Sequence, residues 1–243
     1  MSPILEIEGL TKRFGGLTAV KGVSFRVVEG QVVGLLGPNG SGKTTVLNMI
    51  SGNLSPTEGA IRLRGSQIGG MSPHHVARRG VARTFQLVRI LPSITVIENV
   101  IAALAFAQEP VWGEEAYGTA SSILTQVGLG GRDLEQPEQL TYIDQKRVEL
   151  ARAIASRPAL LLLDEWLAGL NPTELRTGIE LISRLRDSGM TILLVEHVME
   201  AVRALCSHCV VMNAGTKIAD GETAAVLKDP EVIRAYLGAT HAA

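Results

Sequence analysis

The chain has 243 residues, 46% of them apolar, and 23 basic against 24 acidic side chains leave a formal net charge of −1. There is enough apolar material for a real core, in one large domain or a domain with a sizeable insert. The near-neutral balance gives no electrostatic case for nucleic acid or an acidic membrane, and the longest apolar stretch, Val100 to Ala107, is far short of a membrane span.

The opening, Met1-Ser2-Pro3-Ile4-Leu5-Glu6, lacks a basic and apolar leader pattern. A soluble, cytosolic chain is expected, one that docks on other chains if it works at a membrane. Residues 4–30 alternate in short apolar and polar pieces and read as antiparallel strands. Val32 to Leu36 reads as a buried strand, followed by a Gly-rich loop and a helix from about Lys43. Gly59 to Arg64 looks like a further β piece, and Ser72-Pro73 marks a helix start. From about 90 to 157 strand signals fade, and helical periodicity dominates in 93–107, 114–127 and 144–156. This region is expected to be a helical insert. The β-α rhythm then returns: a strand over Ala159 to Leu163, a long helix capped by Asn171-Pro172, a strand over Met190 to Val195 and a helix over Val198 to Leu205. Short strands and a helix opened by Pro230 complete the chain. Strands alternating with helices imply a mostly parallel sheet in an α/β fold.

Gly37-Pro38-Asn39-Gly40-Ser41-Gly42-Lys43-Thr44 fits G-x-x-x-x-G-K-[ST] in full, with a buried strand before and a helix after. Glycines let backbone N–H groups curl around phosphate oxygens, and the helix N-terminus adds a favourable dipole. Lys43 is expected to reach the β- and γ-phosphates, and Thr44 to ligate Mg²⁺, with Thr45 counted in the same segment. Leu160 to Leu163 runs into Asp164-Glu165. A strand end can hold Asp164 near the metal ion and Glu165 near the attacking water. His197 ends a strand one β-α-β unit later and is expected to face the same γ-phosphate. Cys206 and Cys209 bracket His208, but Cys209 opens the apolar run Cys209-Val210-Val211-Met212 and no second ligand pair exists. The pair reads as structural rather than redox or zinc-binding.

These pieces, in this order, resemble the ABC transporter ATPases over essentially the whole chain. The resemblance implies a P-loop ATPase core with an N-terminal antiparallel β-subdomain and a helical signature subdomain. It places the core in 1–89 and 158–243 and the signature subdomain in about 90–157. It implies adenine stacking on Phe14, in Thr11-Lys12-Arg13-Phe14-Gly15, and a metal-sensing Gln86, in Arg83-Thr84-Phe85-Gln86. Ala168-Gly169-Leu170-Asn171 occupies the D-loop. Leu140-Thr141-Tyr142-Ile143-Asp144 occupies the signature segment, which in the family caps ATP held by a partner chain. Arg13 to Leu17, Ala82 to Gln86, Ala168 to Pro172, Val195-Glu196-His197 and the ending Asp229 to Gly238 look like the branched-chain and hydrophobic amino acid uptake group. That implies ATP and Mg²⁺ as ligands, transmembrane permease subunits, a second ATPase chain and, indirectly, an extracytoplasmic solute-binding protein. It also implies a place on the inner face of the cell membrane. A lipid or lipopolysaccharide exporter and a weakly hydrolytic, nucleotide-gated subunit stand as alternatives. A soluble ABC-type ATPase of DNA repair or translation fits the length poorly.

The signature segment departs from the family's L-S-G-G-Q. Tyr142 and Ile143 stand for both glycines and Asp144 for the glutamine. A β-branched side chain and a negative charge are then expected near the partner's polyanion, an unfavourable pairing. Trp166 stands where a proline usually follows Asp-Glu, and either packs in the dimer seam or is a core substitution. Intact and altered motifs segregate. In a heterodimer, the site using Lys43 and Glu165 is expected to hydrolyse ATP and the one using this signature segment to be weak.

Overall fold

The computed structural model describes residues 3–239. Strands β1 (Pro3–Phe14) and β2 (Leu17–Val28) pair antiparallel, as the alternation in this region implies. Strand β3 (Val32–Leu36) leads through the Gly-rich loop into helix α1 (Lys43–Ile50). Strands β4 (Glu58–Leu63) and β5 (Ser66–Gln67) complete a four-stranded sheet in the order β2-β1-β4-β5. Helix α2 (Pro73–Arg78) begins after Ser72 and is followed by the three-residue strand β6 (Val81–Arg83).

Between 96 and 155 the described structure is helical: α3 (Val96–Ala105), α4 (Gly113–Gln126), a short 3₁₀ turn (Pro137–Gln139) and α5 (Tyr142–Ala155). Thr95 and Glu98 form a capping box on α3, and Thr141 caps α5 by accepting from the Asp144 N–H. Then come β7 (Leu160–Asp164), α6 (Pro172–Asp187), β8 (Ile192–Val195), α7 (Met199–Leu205), β9 (His208–Asn213), β10 (Thr216–Glu222), and the helices α8 (Thr223–Val226) and α9 (Pro230–Ala239). Asn171 caps α6 as its sequence suggests, accepting from the N–H groups of Thr173 and Glu174.

The second sheet has six strands in the order β10-β9-β3-β8-β7-β6. Every pairing within it is parallel except β9 with β10. Its central strands are buried on both faces, which explains their unbroken apolar runs. In β7, Leu161 and Leu163 join the core beneath the helices, while Leu160 and Leu162 join the core shared with β1, β2, β4 and α1. Cys206 and Cys209 are buried and unbridged. They lie against Gly34 of β3, where an added Cβ would meet their sulfurs at 3.2 and 3.0 Å. The structural reading of the pair matches this packing.

Trp166 is a core residue here, 1% exposed, with its indole N–H donated to the Lys146 carbonyl at 3.2 Å. Room for it comes from Gly178 on α6, where a Cβ would lie 2.5 Å from Leu167 Cδ2 and 3.3 Å from Trp166 Cζ3. Gly178→Val is therefore expected to destabilise the protein by about 1–3 kcal/mol through overpacking. A denaturant midpoint unchanged by this substitution would show that the contact is loose.

Candidate functional site

The phosphate loop sits at the carboxyl end of β3, where ligands of open parallel sheets bind. Two of its glycines are set by crowding and backbone geometry together. Gly37 has φ +141° and a Cβ there would lie 2.1 Å from the Met212 carbonyl oxygen; Gly42 has φ +104° and a Cβ would lie 2.7 Å from that of Ala19. Gly42 is the N-cap of α1, and no side chain caps that helix. The first-turn N–H groups of α1 are thus directed at the loop, a ready anion site.

Lys43 is 8% exposed and donates from Nζ to the carbonyls of Gly37 (2.8 Å) and Pro38 (3.0 Å). Burial pushes its ammonium below the usual lysine value, with the charges of Glu165 and Asp164 pulling the other way. Beside it opens a cleft of about 1280 Å³. Its lining brings together the loop from Gly37 through Pro38, Asn39, Gly40, Ser41, Gly42 and Lys43 to Thr44 and Thr45, with Gln86, Glu165 and His197.

Gln86 and Glu165 lie 79 residues apart, yet Gln86 Nε2 donates to Glu165 Oε2 at 2.9 Å. Glu165 has φ +50°, a left-handed conformation uncommon for a side-chain-bearing residue, and its N–H is held by the Val195 carbonyl at 2.9 Å. Such local strain persists only where surrounding contacts impose it. Asp164 is not in the cleft lining. Its carboxylate forms an ion pair with Arg83 at 2.7 Å, both side chains being almost fully buried. Arg83 also donates to Asn48 Oδ1 (2.7 Å) and Ser51 Oγ (3.1 Å), which ties β6, β7 and α1 together. Phe14 likewise lies outside the lining, 45% exposed at the β1–β2 turn with the Lys12 ammonium 5.1 Å from its ring centre.

The signature segment is oriented differently from the expectation of a charge facing outward. Leu140 and Ile143 are core residues, and Thr141 and Tyr142 are exposed. Asp144 is 8% exposed and is not an unpaired charge. It accepts from Arg132 at 2.7 Å, Arg147 at 2.9 Å and the Thr141 hydroxyl at 2.8 Å. The physical reason is position on the helix: as the third residue of α5, Asp144 folds back on its N-cap instead of projecting from the helix end.

Several contributors escape a reading of contiguous motifs. Glu196 is buried and accepts from the backbone N–H groups of Leu167 (2.7 Å) and His197 (3.3 Å). Burial pushes its carboxyl up, and those hydrogen bonds with the His197 ring oppose the rise. Tyr236 of α9 accepts from the Gly37 N–H at 2.8 Å and lines the cleft with Arg234. Glu196 lies in Val195-Glu196-His197 and Arg234 and Tyr236 in the ending Asp229 to Gly238, but neither stretch marks these side chains as parts of the site.

A strand, a fully matched phosphate loop and a helix N-terminus, with an Asp-Glu strand close by, define a P-loop nucleotide-binding protein. The ABC transporter family model matches residues 20–168, and the model described as branched-chain amino acid ATP-binding cassette transporter matches residues 216–242. The chain belongs to the ABC transporter family, as an ATP-binding, ATP-hydrolysing subunit. It is 43% identical to the high-affinity branched-chain amino acid transport ATP-binding protein BraF of Pseudomonas aeruginosa, over 97% of this chain and 98% of that one. It is 41% identical to LivG of Escherichia coli K12, of the same description, over the same shares. Among solved structures, the ADP conformation of MJ1267, an ATP-binding cassette of an ABC transporter, superposes with a TM-score of 0.88 at 31% identity, covering 98% of this chain and all of that one. Among the described residues, no helix is long and apolar enough to cross a membrane.

Burial of the Asp144 carboxyl works against its charge, but hydrogen bonds from Thr141 and Arg132 and the charge of Arg147 outweigh it. They hold the group below the ordinary aspartate value of 3.8. With the folded-state value below the unfolded one, the stabilisation is complete above that ordinary value and is lost as pH falls through the depressed one. Asp144→Asn is expected to remove about 1–3 kcal/mol at neutral pH, a deficit that narrows in acid. Urea denaturation of both proteins at neutral and acid pH checks this, and equal stability at neutral pH would contradict it.

Proposed function

We propose that this chain hydrolyses MgATP to energise uptake of branched-chain or related amino acids through transmembrane permease subunits. A solute-binding protein outside the membrane is the further partner implied, and the chain acts at the membrane's inner face. The observation that carries the hydrolytic part is the meeting of Gln86 and Glu165 at the mouth of a complete phosphate loop. The uptake part rests on the relatives' described transport of branched-chain amino acids and on the match of residues 216–242.

Each residue then has a task. The N–H groups of the phosphate loop and of the first turn of α1 take the β- and γ-phosphates, with the Lys43 ammonium exchanging its loop carbonyls for phosphate oxygens. Phe14 stacks on adenine, as its exposed ring permits. The Thr44 hydroxyl and the Gln86 amide oxygen, both on the cleft, would supply the oxygen donors that Mg²⁺ prefers, and Asp164, here paired with Arg83 outside the cleft lining, would act on the ion through a bound water. When bound, the ion neutralises phosphate charge. Glu165 accepts a hydrogen bond from the attacking water and orients its oxygen toward the γ-phosphorus. The water oxygen bonds to the γ-phosphorus as the bond to the β,γ-bridging oxygen breaks; ADP leaves with that bond's electrons, and the water's surplus proton goes to the released phosphate. His197 contacts the γ-phosphate. Residues 90–157 form the subdomain whose signature segment meets nucleotide on a second ATPase chain.

The inward turn of Ile143 and Asp144 bears on that last step. The segment presents Thr141, Tyr142 and the start of α5 to a partner, with no unpaired carboxylate beside the phosphate. Capping of a partner's ATP is electrostatically tolerable on this geometry.

Glu165→Gln is expected to lower ATP turnover by about 10²–10⁴-fold while nucleotide binding persists, and Lys43→Ala to abolish binding. Light scattering of Glu165→Gln with and without MgATP reports on the partner. A dimer formed only with MgATP means that two copies sandwich nucleotide. A nucleotide-bound monomer means that a different ATPase chain completes the site. Turnover unaffected by Glu165→Gln would overturn the assignment of that carboxylate.

A further inference from the structure

Helix α5 carries a fully buried lysine outside the cleft lining. Lys146 is 1% exposed, one turn into the helix from the signature segment. A buried ammonium is expensive unless its donors are satisfied, and this one is spent on a single loop. Its Nζ donates to the carbonyls of Trp166 (2.9 Å) and Ala168 (3.1 Å) and approaches that of Glu165 (3.5 Å). The Trp166 indole returns a bond to the Lys146 carbonyl. The exposed ring of Tyr142, in the signature segment, lies 5.0 Å from the same ammonium.

One turn further along α5, Glu149 does the same for the other arm of the cleft. Its Oε1 accepts from the N–H groups of Arg89 (3.0 Å) and Phe85 (3.4 Å), which flank Gln86. Lys146 and Glu149 are three apart and lie near one another on the helix surface. The loop bearing Glu165 and the loop bearing Gln86 are thus both fastened to one helix, and the two side chains close the circuit through their own hydrogen bond.

We propose that Lys146 is a positioning residue for Glu165: by fastening residues 165–168 to α5, it makes the placement of the water-activating carboxylate depend on the placement of the signature helix. The inference rests on the reading of Glu165 as that carboxylate. It accounts for how Glu165 is kept at φ +50°, since the three carbonyls bound are its own and those just after it. It also gives the proline-to-tryptophan departure a role, because the indole N–H is the reciprocal half of the fastening.

The test compares Lys146→Met with Lys146→Gln in the full chain, in whatever complex it is purified in, with Glu165→Gln as the control. Methionine keeps much of the volume and deletes the donors, whereas glutamine keeps an N–H donor for the same carbonyls. Lys146→Met is expected to lower kcat about tenfold or more, with ATP affinity and KM within about twofold of the parent, because a small misplacement near the chemistry acts on turnover and not on binding. Lys146→Gln is expected to recover most of that loss. Wild-type kcat in Lys146→Met, equal losses in both variants, or a parallel fall of kcat, ATP affinity and thermal midpoint would overturn the proposal. If Lys146→Met does not fold, Trp166→Phe substitutes for it. That change removes only the return bond and is expected to lower kcat about threefold at unchanged ATP affinity, a modest cost in keeping with one neutral hydrogen bond; an unchanged kcat there overturns the proposal. A Glu165→Gln control that hydrolyses ATP at the wild-type rate would instead sink the underlying assignment, whatever the Lys146 variants do.

Discussion

Strand β7 has no polar side chain until it ends. Leu160 to Leu163 are wholly buried, alternately in the two cores that clasp the sheet. A slip by one residue would swap the leucines between the two cores and turn Asp164 away from Arg83. The two carboxylates are therefore delivered where the sheet opens, alongside the ends of β3 and β8. The phosphate loop leaves β3 and His197 follows β8 at this same edge. The double burial of β7 and its neighbours is what converts three separate sequence motifs into one site.

At that edge, buried charge is organised and not merely tolerated. The Arg83–Asp164 pair is nearly sealed from solvent, and Arg83 Nη1 donates to Asn48 in α1 and to Ser51 at its end. Ion pairs in such places are weak evidence for stability, since desolvation offsets attraction, but removing one partner leaves an uncompensated charge. Their effect is on geometry. Arg83 fixes Asp164 relative to the helix that follows the phosphate loop. Glu196 fixes the backbone after Glu165. The Tyr236 hydroxyl fixes the first glycine of the loop from the far end of the chain. Each contact is directed and joins separate elements, so small movements of one element are felt by the others.

The parts of this arrangement that read directly from sequence are those whose physics is local. The phosphate loop was legible because eight contiguous residues carry the whole requirement for turn, donor and charge. The long helices and central strands were legible from periodicity, and Asn171 from its cap chemistry. Strand β6 was not, because three residues ending in arginine carry no pattern; it is a strand only because β7 pairs with it. The start of α5 at Tyr142 follows from the Thr141 cap more than from apolar spacing. Of the two arginines on Asp144, Arg147 is readable as an i, i+3 helix pair, but Arg132 is not. Arg132 lies 12 residues away across a turn, and nothing in the composition of either segment announces the pairing.

The departures from the family pattern are accommodated by their surroundings in the same way. Taken one at a time, isoleucine for glycine, aspartate for glutamine and tryptophan for proline each look like damage to the family pattern. In the folded chain each has a compensating neighbour: Ile143 joins the helical core, Asp144 is neutralised by two arginines, and Trp166 fills space left by Gly178 and binds Lys146. Compensation of this kind is unlike the drift of an unused motif, where a buried charge would be left unpaired and an indole N–H unsatisfied. The altered signature segment is a packed and electrically balanced surface. Its outward groups are the Thr141 hydroxyl, the Tyr142 ring and the N-terminus of α5.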